Sequence, residues 1–522
     1  MGNIPIKKLH KEHQDYLRDE SRKIGSAESI SFPKNNQEIK NILLYLNNTK
    51  TPVTVQGART GITAGAVPKN GHILNLSKMD NIKSLSYDKN LDTFLVTVEP
   101  GVILCKLRNT LQTKIFDTTN WDENSLNSLK QFQSSDEFFF SPDPTESTAA
   151  IGGMVSCNAS GACSFKYGST RNYVEGLKVI LINGDTFYVK RGENKIKNGK
   201  FSITTDSGQV IEGYIPKYSM PKVKNASGYY SMENMDLIDL FIGSEGTLGI
   251  ITEIQLKLLK KPKSIYGVTA FFDSEEKSLN FVESLRENLN PAAIEFFNNN
   301  SLNLIRKEKE KNPAFEKLLD LPKNFHTAIY SEYHDINNDK NLDTLLKVGK
   351  LMEDCGGNEA NTWVATNSQS EEQLHFFRHA VPESVNLLID DIRKEYPSLT
   401  KLGTDMAVPN SKLKEVMQLY NKTLEDSNLE SVIFGHIGDN HLHVNIIPKN
   451  MVDYKKGKEL YNSWAEKIVS MGGTISAEHG VGKLKTSLFK QMVGTSGLSE
   501  MKSLKLLFDP DNRLNCGNLF EE

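Results

Sequence analysis

The chain has 522 residues, 38% of them apolar, enough for large buried cores; at about 150 residues per domain this predicts two to four domains. A net charge of −3 leaves no basic stripe for nucleic acid and no polybasic patch for a membrane surface. The five cysteines are widely spaced and form no CxxC pair, which argues against a disulfide framework or zinc ribbon and fits a reducing compartment.

The opening stretch MGNIPIKKLHKEHQDYLRDESRK lacks the apolar core of a secretory signal, and Ile6 breaks the myristoylation pattern. No run reaches the length of a membrane span, so a cytoplasmic chain is expected, with room for peripheral contact at the inner face of a membrane. Residues 1–30 read as a solvent-facing helical segment. A helix is expected from about Asn36 to Asn47, then the strand TPVTVQG, the turn-rich GARTGITAGAVP and the strand HILNLS. The runs FLVTVEPGV, LKVILINGDTFYV and LFIGSEGTLGIITEIQLKLL, bounded by Gly, Pro, Asn and Asp, predict further strands and a strand-rich α+β half. Asp117 to Phe140 mixes polar and aromatic residues irregularly and reads as a surface insertion without function.

Three stretches of this half bear on chemistry. In GARTGITAGAVP, small residues such as Gly57, Ala58, Gly61, Ala64 and Gly65 let backbone approach a ligand, and successive N–H groups can form an anion nest. It lacks both the GxGxxG and GxxxxGK[ST] patterns, and a tight loop between strands is the competing reading. From Pro142 to Asp185, small residues including Gly152, Gly153 and Gly161 would let a planar ligand lie against backbone, with Thr148, Ser156 and Asn158 as polar contacts; close packing of a helix on a sheet is the alternative. GSEGTLGIIT repeats the pattern of small residues around one acid, Glu245.

The second half carries a histidine cluster. Four of the eleven histidines, His436, His441, His443 and His479, fall within a span of 44 residues, in GHIGDNHLHVN and ISAEHGVGK, beside Glu478. Neutral imidazoles and a carboxylate are the usual ligands of borderline divalent metals, so the cluster points to metal binding or catalysis. Strand alternation by itself pairs His441 with His443 on one face.

In this order the stretches resemble the flavin-binding domain of the vanillyl-alcohol oxidase superfamily, followed by the C-terminal half of the FAD-linked 2-hydroxyacid dehydrogenases, to which FDPDNRLNCG also contributes. Those dehydrogenases act on D-lactate, D-2-hydroxyglutarate or glycolate. The resemblance spans about residues 16 to 520 and implies an α+β fold: a PCMH-type FAD domain of two subdomains at 31–258 after the helical segment 1–30. An antiparallel-sheet cap with flanking helices would follow at 262–470, and a helical segment, 471–522, would return to the FAD domain. FAD contacts would come from Gln56, Gly57, Ala58, Arg59, Thr60, Gly61, Thr63 and Ala64 at the pyrophosphate. Pro142, Asp143, Thr148, Gly152, Gly153, Ser156, Asn158, Gly161, Tyr167, Gly168, Glu245, Ile250 and Asn515 would lie along the rest. Residues 56–65 contain no His, so the FAD is expected to be non-covalent.

The same resemblance implies the chemistry. Oxidising a 2-hydroxy acid requires loss of the hydroxyl proton and transfer of a hydride from the α-carbon to flavin, with His479 as the base. His436, His443 and Glu478 would hold a divalent metal, Zn, Mn or Fe, that lowers the hydroxyl's pKa and orients the substrate. The family has Gly-Asn where this chain has Asn440-His441, so His441 is a departure, ranked first as an outer partner of a ligand, ahead of a fourth ligand or a surface residue. Arg378, in HFFRHAVPE, would grip the substrate carboxylate with paired hydrogen bonds, and Asn445 would also touch substrate. Pro382 and Gly403 stand where dicarboxylate-specific relatives carry a hydroxyl residue and a second cation. D-lactate is therefore favoured over 2-hydroxyglutarate or glycolate, with Lys401 as a nearby cation. Electrons would pass to a quinone, a cytochrome or an electron-transfer flavoprotein. Competing readings are a flavoenzyme without net redox, like the alkylglycerone-phosphate synthase branch of the fold, and a non-catalytic flavin subunit of a redox complex.

Overall fold

A computed structural model describes residues 5–335, 341–365 and 367–521. Helix Asn36–Asn47 is capped by the Asn35 side chain, which accepts the Glu38 N–H, and it buries Ile39, Ile42, Leu43 and Leu46, the i, i+3, i+4, i+7 stripe of an amphipathic helix. That stripe covers a small sheet in which Ser29–Ser31, His72–Asn75 and Val53–Gln56 run parallel. A second, antiparallel sheet follows in the order Ile82–Asp88, Thr93–Val98, Ile250–Lys257, Val174–Ile180, Thr186–Lys190.

Two local expectations change. Within 1–30 the described residues form short strands, Ile6–Lys8 and Ser29–Ser31, around a 3-10 helix, Lys11–Leu17, because pairing with the small sheet overrides a polar helical bias. Residues 1–4 lie outside the described set. The stretch Asp117–Phe140 is not a surface insertion: its helix Glu123–Ser134 buries Leu129 and Phe132, and Phe132 meets Phe94 and Phe116 edge to face. Aromatic residues that looked irregular in sequence converge on one core.

The second half is built on an eight-stranded sheet whose pairs are all antiparallel. Its central strands are Thr327–Asp335, Ala293–Phe297, Ser431–His436 and His441–Ile446, in that order. Alternation sends Ile294, Phe296, Ile433, Leu442, Val444 and Ile446 into the larger core, which also takes residues of helices Glu275–Asn288, Leu413–Ser427 and Met451–Ser470. The opposite face packs Phe297, Tyr330, Val432 and Phe434 on helices Asn299–Lys311 and Ser368–Glu395. By the same period of two, that face carries Glu295, Glu332, His436, His441, His443 and Asn445.

The last helix, Thr486–Phe508, breaks at Gly494, where φ is 71°. Beyond it, Val53 N–H donates to Arg513 O at 2.8 Å, Arg513 Nη1 donates to Asn47 Oδ1 at 2.7 Å, and Leu514 joins the core of the small parallel sheet. The chain end thus closes on the first subdomain. Among the described residues no helix is long and apolar enough to cross a membrane.

Candidate active site

The histidine site begins with a hairpin. Strand Ser431–His436 turns through Ile437–Asp439 into His441–Ile446, with His436 opposite His441 and Phe434 opposite His443. Asn440 closes the turn at φ 50°, a left-handed conformation that Asn tolerates well, and its side chain donates to Pro409 O at 3.0 Å. Gly435 has φ 123°, and a Cβ there would stand 2.7 Å from His443 Cδ2, so glycine makes room for that ring. Opposed residues share a face, so all three imidazoles point the same way, and their ligand nitrogens lie within 4.8 Å of one another.

Outer partners fix each ring. His436 Nδ1 is 2.7 Å from Glu295 Oε1, and His443 Nδ1 is 3.1 Å from Thr404 O. With Nδ1 held by an oxygen acceptor, Nε2 is the nitrogen each ring would offer a metal, His436 after releasing its Nε2 proton, the arrangement usual for metal-bound histidine. Glu478 Oε2 lies 3.5 Å from His436 Nε2 and 3.5 Å from His441 Nδ1. Lys224 Nζ reaches the same oxygen at 2.7 Å and Gly161 O at 3.2 Å, tying the loop around Gly161 to the cluster.

Three carboxylates, Glu295, Asp405 and Glu478, are buried around the rings, and each has a partner: His436 for Glu295, Lys485 for Asp405 and Lys224 for Glu478. Burial would raise Glu478, but Lys224 and His436 hold it well below the usual carboxylate range. Burial pulls His436 down, yet Glu295 and Glu478 raise it to about 9. His443 is pushed well below the ordinary imidazole value by burial and by His441, so it stays neutral and able to donate a lone pair. Three convergent imidazoles beside an ionised carboxylate form a donor set that fits a divalent metal.

His479 stacks on His443 with ring centroids 5.9 Å apart, and its Nδ1 lies 3.2 Å from Asp405 Oδ2. That contact leaves Nε2 to receive a proton. Asp405 is the hub of the site: its carboxylate accepts the backbone N–H groups of Glu478 at 3.2 Å and His479 at 3.1 Å, Ser476 Oγ at 2.6 Å and Lys485 Nζ at 2.6 Å. Burial opposes its ionisation, but His479 and Lys485 hold its pKa well below the usual range. Neither Asp405 nor Lys224, Glu295 or Lys485 stands out in the sequence by spacing. The available signal for Glu295 is a single acid inside the apolar run AIEFF, since a carboxylate buried there needs a partner.

Arg378 comes from helix Ser368–Glu395, which also contains Pro382. Among the described residues it makes no hydrogen bond or ion pair within the chain. Despite burial, the nearby carboxylates of Glu295, Asp143 and Glu332 keep its guanidinium charged. Asn445 donates to His443 O at 3.2 Å, while its Oδ1 is buried without a partner. Gly403 pairs with Asn445, and a Cβ at Gly403 would stand 2.7 Å from that oxygen. Lys401 Nζ is engaged by Asn386 Oδ1 at 3.1 Å.

The residues expected to contact FAD divide into two groups. Among the described residues, no backbone N–H from Ala58 to Gly65 donates to another group of the chain, and a Cβ at Gly61 or Gly153 would meet nothing within 4 Å. Open backbone donors beside open space suit a diphosphate-bearing cofactor. Arg59, Ala64, Asn158, Glu245 and Asn515 all have positive φ, strain that clusters around this cleft. Other side chains are occupied within the chain. Gln56 Nε2 donates to Tyr16 O at 2.8 Å and Ala66 O at 2.7 Å, and Thr148 Oγ1 to Glu146 Oε1 at 2.6 Å. Glu245 accepts Val481 N–H at 2.7 Å and Gly482 N–H at 2.8 Å, and Asn515 Nδ2 donates to Glu245 O at 2.7 Å. Tyr167 meets His334 at 2.7 Å, Ser156 Oγ donates to Gly152 O at 2.8 Å, and Ile250 is buried at the start of its strand. Gly161 is tight rather than open, since a Cβ there would sit 1.9 Å from Asp143 O.

Comparison with known proteins adds to this geometry. The family described as FAD linked oxidases, C-terminal domain, matches residues 261–519, and an FAD binding domain matches 27–120 and 124–189. A D-lactate dehydrogenase of Anaerostipes hadrus is 28% identical over 97% of this chain and 93% of its own length. Glycolate oxidase subunit GlcD of Bacillus subtilis is 26% identical over 94% of this chain and 89% of its own. In fold, the chain is similar to p-cresol methylhydroxylase with substrate bound, with a TM-score of 0.67 at 14% identity, covering 100% of this chain and 95% of that one.

Proposed function

The chain belongs to the FAD-linked oxidases, among the FAD-dependent 2-hydroxyacid dehydrogenases, and on that premise we propose that it is a metal-dependent dehydrogenase of a small D-2-hydroxy acid, D-lactate first. The observation that carries the reading is a base and an ion site in one cluster: His479, backed by Asp405, beside three imidazoles and Glu478. When bound, FAD accepts the hydride and a divalent metal polarises the substrate hydroxyl.

The remaining work falls to side chains. Arg378, charged and without a hydrogen-bond or ion-pair partner among the described residues, grips the substrate carboxylate, and the open oxygen of Asn445 accepts a hydrogen bond from substrate. His479 Nε2 takes the hydroxyl proton, and Asp405 holds the resulting imidazolium. His436, His443 and Glu478 hold the metal. Gly403 and Pro382 add no hydrogen-bonding or charged side chain for a second carboxylate, which supports a substrate with a small apolar substituent. FAD is held non-covalently, with the loop 57–65 at its diphosphate and Gly153 beside it. Electrons then leave for a quinone, a cytochrome or an electron-transfer flavoprotein.

Anaerobic bleaching of the flavin absorbance by a panel of D- and L-2-hydroxy acids tests the reading. D-lactate is expected to bleach it fastest. Bleaching only by D-2-hydroxyglutarate would overturn the substrate, and bleaching by L-acids alone would overturn the stereochemistry.

A further inference from the structure

We propose that His441 is a fourth protein ligand of the divalent metal, binding through Nδ1 beside His436, His443 and Glu478, so that this chain builds a three-imidazole site where the family pattern has two. The inference rests on the metal-dependent reading above and concerns the residue at which this chain departs from that pattern.

His441 is 0% exposed, and neither ring nitrogen has a well-directed hydrogen bond. Nε2 nevertheless lies 2.9 Å from Asp405 Oδ1, and Nδ1 lies 3.5 Å from Glu478 Oε2. These two contacts restrict the tautomer. A proton on Nδ1 would leave the Nε2 lone pair facing the Asp405 carboxylate, which is repulsive. A proton on Nε2 satisfies Asp405 and leaves the Nδ1 lone pair facing Glu478 Oε2; Lys224 Nζ meets that oxygen at 2.7 Å, and a metal ion between the ring and the carboxylate would turn the remaining repulsion into two bonds. His436 Nε2 faces the same oxygen from 3.5 Å. His441 Nδ1 and His436 Nε2 therefore converge on one carboxylate oxygen, and with His443 the three imidazoles offer ligand nitrogens within 4.8 Å of one another, the His436 nitrogen on giving up its proton.

An outer role for His441 would require its ring to donate to a residue that binds the metal. Among the described residues its ring packs on His436 and His443 without a hydrogen bond, and its polar approach to a ligand is Nδ1 facing Glu478 Oε2, the nitrogen that carries the lone pair. Asp405, by contrast, stands behind Nε2 as a carboxylate stands behind many metal-bound imidazoles. Asp405 thus holds two histidines at once, His441 through Oδ1 and the base His479 through Oδ2. A third imidazole shifts the site away from oxygen-preferring ions such as manganese and toward zinc or iron.

The test is X-ray absorption on the zinc-loaded, FAD-containing full chain. Three imidazoles in the zinc scattering are expected, and two would overturn the inference while leaving the metal reading in place. His441→Asn, checked for retained flavin absorbance, is expected to lose one imidazole and to release zinc to a chelator more than about 100-fold faster, beyond the 10- to 100-fold typical of losing an outer partner. An unchanged imidazole count in that variant would overturn the inference. Should the variant fail to hold flavin, the wild-type count decides alone. A flavin-loaded wild type that binds no stoichiometric zinc would overturn both the inference and the metal reading.

Discussion

Asp405 grips His479 twice: its Oδ2 lies 3.2 Å from the ring Nδ1 and accepts the His479 backbone N–H at 3.1 Å. Side chain and main chain of the base are thus set by one buried carboxylate. Asp405→Asn keeps the shape but removes the charge that holds Nδ1–H and steadies the imidazolium. Anaerobic flavin reduction by D-lactate is expected to slow by about 10²- to 10⁴-fold. The variant also leaves Lys485 buried beside a neutral amide, so unfolding free energy should drop by about 3 kcal/mol. A reduction rate within threefold of wild type would remove Asp405 from the base's support.

His479→Ala should abolish flavin reduction while leaving the flavin spectrum and thermal midpoint close to wild type, because the ring is partly exposed and its loss opens no deep cavity. Stopped-flow reduction by D-lactate is the measurement. Normal reduction would assign proton removal elsewhere.

Arg378→Lys replaces a planar fork with a point charge, so kcat/KM for D-lactate should fall about 100-fold, mainly through KM. Steady-state kinetics separates the two constants. An unchanged KM would show that the carboxylate is bound by another group.

Prolonged dialysis against a strong chelator should silence turnover with the flavin still bound, and stoichiometric zinc should restore it. Full turnover after dialysis, with metal content shown to be negligible, would take the metal out of the reaction.

His72 lies in the small parallel sheet between Ser29 Oγ and Ser31 Oγ, each 2.8 Å from a ring nitrogen, and burial lowers its pKa to about 4. The unfolded chain takes up this proton at higher pH than the folded chain does, since free imidazole titrates near 6.5. The contribution is fully present above about pH 6.5 and is lost as pH falls toward 4, on the order of 3 kcal/mol across that window. Denaturant titrations at pH 7 and pH 4.5 should show a smaller loss of stability on acidification in His72→Asn than in wild type. Equal losses would show that His72 does not carry the effect.

Much of the fold is legible in local pattern. The helix Asn36–Asn47 follows from an apolar stripe and an Asn cap, and the strands around Ile250 and Val174 from apolar runs closed by Gly and Asp. The N-terminal stretch was not legible as strand, since a three-residue edge strand is set by its partner. The aromatic residues between Asp117 and Phe140 gave no period because their common core includes Phe94 from another strand. In the site, the clustered His436, His441, His443, Glu478 and His479 stand out in the sequence. Asp405 and Lys224 do not, because each is one charged residue whose partners lie on segments distant in sequence.

The small-residue loops and histidine motifs, taken in order, carry the resemblance to flavin-dependent hydroxyacid dehydrogenases, because those features are written in consecutive residues. Which nitrogen of each histidine is free, and which carboxylate stands behind it, was decided only by the fold. Those are relations between a hairpin at 431–446, a short segment at 404–407 and a loop at 474–483, brought together by sheet pairing and burial. His441 marks the difference: in sequence it is an outlier in a motif, and in the folded chain it is a buried ring whose Nδ1 faces Glu478.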